Sequence, residues 1–161
     1  MMVRFRPLRT FPRISECTAH RYVMIERQID LIVIHASDTY ARMNVGAKWI
    51  NDLHRGFGWK GIGYHFVIKR DGTIEAGRDV EMPGAHAKGY NASSIGICWI
   101  GGKGDDNKPE DNRTPEQKKA MRNLVDVLVH MFPNTCVTGH RDLPGVSKAC
   151  PCFDVENWYY V

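Results

Sequence analysis

No aliphatic run in this chain is longer than Leu31-Ile32-Val33-Ile34, far short of the roughly 20 apolar residues that cross a bilayer. No transmembrane helix is expected. The N-terminus carries Arg4, Arg6, Arg9 and Arg13 and lacks the apolar stretch and small-residue cleavage site of a secretory signal. Charge of one sign is also scarce. The net charge of +4 is spread along the chain and does not mark a nucleic-acid binder. The five cysteines are an odd number and do not pair into a small secreted scaffold, so synthesis in a reducing cytoplasm is expected. Internal repeats and low-complexity tracts are absent.

What remains is an ordinary globular composition, 43% hydrophobic and 25% charged over 161 residues, which indicates one compact domain. At this length folding removes roughly 70% of the unfolded surface from water. A core can form without disulfide or metal staples, so a metal would be there for function.

Residues 1–28 are basic, contain Pro7 and Pro12, and show no sustained period, which reads as an N-terminal extension. The domain proper is assigned to 29–161. Leu31–His35 reads as a strand buried on both faces, with His35 at its C-terminal end, where side chains often emerge at a site. Asn44 is the expected N-cap of a helix whose apolar stripe is Val45, Trp49, Ile50, Leu53 and Phe57, with His54 beside it in a structural role. Tyr64–Lys69 and Thr73–Ala76 flank an Asp71-Gly72 turn and read as a hairpin. Alternation along that strand would send Tyr64 and His65 to opposite faces. Ser94–Ile100 reads as a second buried strand, and 103–113 as an exposed polar loop. Thr114-Pro115-Glu116-Gln117 is a capping box with Pro at the first helical position. It opens a helix with Met121, Leu124, Val125, Leu128 and Phe132 on its buried face, ended by Pro133. Cys136–Gly139 is a last short strand, with His140 at its end.

His35 and His140 each follow a strand, and Cys150 lies in the Pro-bounded stretch Lys148-Ala149-Cys150-Pro151. Imidazole and thiolate are zinc's preferred donors, and three protein ligands leave the fourth tetrahedral position open, the catalytic arrangement. With seven histidines and five cysteines, spacing alone leaves the alternative of hydrogen-bonded strand-end residues and a buried thiol open.

The ordered motifs Gly63-Tyr64-His65-Phe66, Arg70-Asp71-Gly72-Thr73, Glu75-Ala76-Gly77-Arg78, His86-Ala87-Lys88-Gly89-Tyr90-Asn91, Ser94-Ile95-Gly96-Ile97 and Lys148-Ala149-Cys150-Pro151 resemble the zinc-dependent N-acetylmuramoyl-L-alanine amidases. The likeness is greatest to their phage branch, extends to the peptidoglycan recognition domains, and runs from about Asp30 to the C-terminus. It implies a single α/β domain with a central mixed β-sheet flanked by helices. It also implies Zn2+ held by His35, His140 and Cys150, catalytic roles for Tyr64 and Lys148, and His86 lining the substrate cleft. In the cytoplasmic cell-wall-recycling branch a catalytic Glu follows the strand equivalent to Ser94–Ile97. Here Cys98 stands there, and a thiol cannot replace that base, so the Tyr64 and Lys148 chemistry is expected instead.

The function implied is hydrolysis of the amide between N-acetylmuramic acid and the L-alanine of peptidoglycan, by a monomer of the phage or prophage endolysin kind. Such an enzyme is made in the host cytoplasm and reaches the wall after release by a pore-forming holin. Two other readings follow from the same resemblance. One is a non-catalytic peptidoglycan-binding domain, which typically lacks the Cys ligand. The other is an amidase that also binds and inhibits a polymerase, with residues 1–28 available to a partner.

Overall fold

Alternation along the first aliphatic run divides its side chains between two sheet faces, and this decides where His35 points. In the computed structural model, which describes residues 26–161, that run is β1 (Leu31–Ala36). Ile32, Ile34 and Ala36 pack on one side into the main core with Met121, Val125 and Leu128 of a helix. Val33 faces the other way, against Ala87 and Leu143, and His35 shares its face.

The remaining elements are β2 (Thr39–Tyr40), α1 (Ala47–Gly56), β3 (Phe66–Ile68), β4 (Ile74–Ala76), β5 (Ser94–Trp99), β6 (Gly102–Lys103), α2 (Pro115–Met131), β7 (Cys136–Gly139) and α3 (Val155–Tyr160). Five strands form a sheet in the order β4-β3-β5-β1-β7, and β2 pairs with β6 apart from it. β1 is parallel to both β5 and β7, and β3 is parallel to β5. Only β4 runs antiparallel, as the partner of β3 in the hairpin. The expected mixed sheet with flanking helices is therefore present. β1 is an inner strand between β5 and β7, and Ile32, Val33 and Ile34 are wholly buried, each worth roughly 1.5–3 kcal/mol of transfer free energy.

α2 begins as its sequence requires. The Thr114 hydroxyl accepts from the Gln117 N–H at 3.0 Å, and the Gln117 side chain accepts from the Thr114 N–H at 3.1 Å. Gln117 is fully buried, and its amide nitrogen donates to the carbonyls of Ile68 and Ile100. The cap thus ties α2 to β3 and to the end of β5.

Three expectations are corrected. The N-cap of α1 is Gly46, not Asn44, and has no side-chain bond of its own. Instead the Glu75 carboxylate, on β4, accepts from the Ala47 N–H at 2.7 Å. The apolar stripe of α1 is also only partly inward: Ile50 is buried, whereas Trp49, Leu53 and Phe57 are exposed. His54 fills the inner face because its Nδ1 accepts from the buried Gly63 N–H at 3.0 Å. Lastly, Tyr64 and His65 do not separate to opposite faces. Regular strand begins only at Phe66, and both rings border His86.

Residues 1–25 of the extension lie outside the described residues. Arg27, assigned by sequence to that extension, is docked on the domain. Its guanidinium donates to the carbonyls of Val80 at 2.6 Å and Ser94 at 2.9 Å. The 103–113 loop is exposed but tied back, since Asn112 Oδ1 accepts from the Gly102 N–H and Asn112 Nδ2 donates to the Lys103 carbonyl. α3 is an element that no sequence pattern marks, and it packs on β7.

Candidate metal centre and catalytic cleft

Parallel pairing brings the C-terminal ends of β1 and β7 side by side, and with them two histidines distant in sequence. His35 is the penultimate residue of β1, and His140 follows β7 directly. The segment after β7 returns over the same strand ends. The Arg141 N–H donates to the Cys150 carbonyl at 2.7 Å, and the Ala36 N–H points at Cys150 Sγ from 3.2 Å.

Among the described residues, His35, His140 and Cys150 form a group whose ligand atoms all lie within 4.8 Å of one another. His35 Nδ1 is 3.8 Å from Cys150 Sγ, and the His35 and His140 ring centres are 4.5 Å apart. Two imidazoles and one thiol converging on one point are the donor set zinc takes, and their spacing matches a tetrahedral ion's ligand shell. The residues present therefore fit the group.

The electrostatics agree with such a use. Burial holds His35 well below the usual histidine range, and nearby His86, His140 and Lys148 add to the effect. His140 is lowered by burial and then by Lys148. Burial also pushes the Cys150 thiol up to about 11, against the opposing pull of the Ala36 N–H. Without a cation the cluster is neutral, with lone pairs on the imidazoles and a thiol that ionises only when positive charge arrives.

These groups open on a cleft of about 480 Å³ whose lining includes His35, Tyr64, His86, His140, Lys148 and Cys150, a size suited to a small ligand or part of a larger one. The six sequence-designated residues are thus gathered at one cleft. The Tyr64 ring lies 5.0 Å from that of His35, and burial first, then Cys98 and Cys150, raises its phenol well above the usual range. Tyr64 is therefore a protonated donor throughout the neutral range. Lys148 is an exposed ammonium on the cleft wall.

His86 lines the cleft, but both of its ring nitrogens face protein. Nδ1 lies 2.9 Å from His35 Nε2, and Nε2 lies 3.2 Å from Ser94 Oγ. Trp59, which no motif marked, belongs to the lining together with Cys152, and Ser94, at the start of β5, reaches the site through His86.

The family profile for N-acetylmuramoyl-L-alanine amidase matches residues 25–153. The endolysin of Escherichia phage T7 is 44% identical over 130 residues, covering 81% of this chain and 85% of the phage protein. Among solved structures, the N-acetylmuramoyl-L-alanine amidase LysC from Clostridium intestinale URNW superposes with a TM-score of 0.69 at 30% identity, covering 81% of each chain. Drosophila PGRP-LB superposes with a TM-score of 0.66 at 29% identity, over 78% of this chain and 76% of that one. The chain belongs to the N-acetylmuramoyl-L-alanine amidase family. Its activity is hydrolysis of the amide joining N-acetylmuramic acid to L-alanine.

Proposed function

We propose that this amidase is a zinc-dependent, phage-type endolysin in which His35, His140 and Cys150 hold the ion and Tyr64 and Lys148 act on the scissile amide. The observation that carries the reading is the convergence of the three donor side chains at the base of a cleft whose wall also bears Tyr64 and Lys148. When bound, zinc supplies Lewis acidity, polarising a carbonyl and making a water acidic near neutral pH.

Hydrolysis adds water across the C–N bond: the lactyl carbon gains a hydroxyl and the alanyl nitrogen gains a proton as it leaves. The carbonyl oxygen becomes an oxyanion on the way. A phenol and an ammonium are donors that such an oxygen can use in a partly dry site. Burial keeps the Tyr64 proton in place, and Lys148 brings a full positive charge to the cleft. The His35 and His140 imidazoles stay neutral, so their lone pairs remain available.

Among the described residues no helix is long and apolar enough to cross a membrane. Release to the wall is assigned to a separate pore-forming protein of the holin kind, and the enzyme works as a monomer on peptidoglycan. The domain responsible is 29–161. The test is mass spectrometry of digested peptidoglycan with and without a chelator. Free L-alanine N-termini should appear only without it. New reducing sugar ends, or products unaffected by exhaustive chelation, would overturn the reading.

A further inference from the structure

A histidine that gives one ring nitrogen to a metal must carry its proton on the other. His35 turns Nδ1 toward Cys150 Sγ, at 3.8 Å, and Nε2 toward His86 Nδ1, at 2.9 Å. If Nδ1 is the ligand atom, Nε2 is the N–H, and His86 Nδ1 must accept from it. The His86 proton then sits on Nε2, which faces Ser94 Oγ at 3.2 Å, and a hydroxyl oxygen can accept there. Each step forces the next, and every nitrogen is matched. The opposite order would place the His35 proton on Nδ1, between imidazole and thiol, where it would block the metal position.

The His86 ring is also seated with unusual care. It lies over Gly96 of β5, where a Cβ would come within 2.6 Å of ring atoms, and against Gly84, where a Cβ would lie 2.4 Å from its Cδ2. Asn91 Oδ1 accepts from both the His86 and the Ala87 N–H groups, at 2.9 and 3.0 Å. Two missing side chains and a clamped backbone place the ring against His35.

We infer that His86 is a positioning residue for the metal centre: it fixes the proton of His35 on Nε2 through the chain His35–His86–Ser94, leaving Nδ1 aimed at the ion. This deepens the zinc reading of the site and rests on it. A ring with both nitrogens engaged by protein is a poor substrate ligand, so its place in the cleft wall follows from its grip on His35.

The experiment measures zinc affinity of the full-length protein by competition with a chromophoric chelator, alongside the melting temperature of the metal-free form. His86→Phe keeps a ring and removes both nitrogens. It should weaken zinc binding about 10–100-fold. His86→Asn presents an amide oxygen near the Nδ1 position and should recover most of that loss. If the phenylalanine variant does not fold, His86→Gln, whose amide aligns with Nε2, takes its place in the comparison. Wild-type affinity in His86→Phe or Gln, or equal losses in the Asn variant and its comparator, would overturn the inference. His35→Ala separates it from the parent reading. Stoichiometric zinc in the wild type that His35→Ala loses supports the zinc site whatever His86 does. A wild type that takes up no zinc would sink both. A raised KM with unchanged zinc affinity in the His86 variants would mark a substrate contact and also overturn the inference.

Discussion

Gly96 and His86 occupy one space: a Cβ on Gly96 would lie 2.6 Å from Cγ of the His86 imidazole. The glycine is on β5 between Ile95 and Ile97, both fully buried, and its backbone has no room to retreat. Gly96→Ala should therefore push the ring off His35. The expected cost is about 1–3 kcal/mol of stability, the usual range for overpacking, together with weakened zinc binding. Denaturant melts of the metal-free and metal-loaded forms measure the two effects, and a variant with wild-type behaviour in both would contradict this packing.

Cys150→Ser should remove measurable turnover while leaving the melting temperature of the metal-free protein nearly unchanged. The substitution alters one atom at a partly buried position, whereas a hydroxyl is a poor replacement for a thiolate donor. Release of soluble muropeptides from purified cell walls is the readout.

Tyr64→Phe keeps the ring that packs beside His35 and His54 and deletes only the hydroxyl. Loss of one oxyanion donor typically costs about 100- to 1,000-fold in kcat, and that drop is expected here with KM little changed. Lys148→Met should behave similarly. A change confined to KM would instead assign these side chains to binding.

His65 sets a pH limit on stability. Its Nδ1 accepts from the Gly96 N–H at 2.9 Å, and its Nε2 donates to the Met82 carbonyl at 2.9 Å, so the neutral ring is satisfied and a second proton would face an N–H. Burial above all lowers its pKa to about 4, with the Arg27 guanidinium adding to the effect and the Met82 carbonyl opposing it. The ordinary value is near 6.5. Between these values the unfolded chain takes up a proton that the native state refuses, so stability rises with pH. The contribution is complete above about pH 6.5, is lost as pH falls toward 4, and amounts to about 3 kcal/mol at most. Ring resonances of His65 that titrate near 6.5 in the folded protein would refute this.

Glu75 has a measurable part in α1. Its carboxylate accepts from Ala47 N–H at 2.7 Å at the positive end of that helix, where the local cap, Gly46, supplies no side chain. Glu75→Ala should cost about 1 kcal/mol, detectable as a lower denaturation midpoint with an unchanged slope.

Glu75 also shows why some features were legible and others were not. The capping box of α2 lies within four consecutive residues, so Thr114 and Gln117 announced it. The start of α1 depends on a carboxylate from another strand, whereas Asn44 is the best cap that the neighbouring residues offer. His54 is inward because of a backbone N–H nine positions later, which periodicity cannot register against three apolar neighbours. Arg27 looked like tail because its anchors lie 53 and 67 positions away. His35 and His140 were readable because each ends a short aliphatic strand, and Cys150 because it sits in a tight Pro-bounded loop. That these three converge, and that Tyr64, Lys148 and His86 join them at one cleft, came from resemblance and not from spacing. Ser94 lies in a recognisable motif, yet nothing there marks its part, which is exerted across the His86 ring.

The parallel seam between β1 and β7 sets an order of events. His35 and Cys150 are 115 positions apart in the chain, and what brings them together is closure of that seam and the return of the segment behind it. A nascent or unfolded polypeptide offers scattered histidines and thiols but no cradle. The catalytic cluster is thus withheld until the sheet has zipped shut, and, on the zinc reading of the site, uptake of the ion would report that closure.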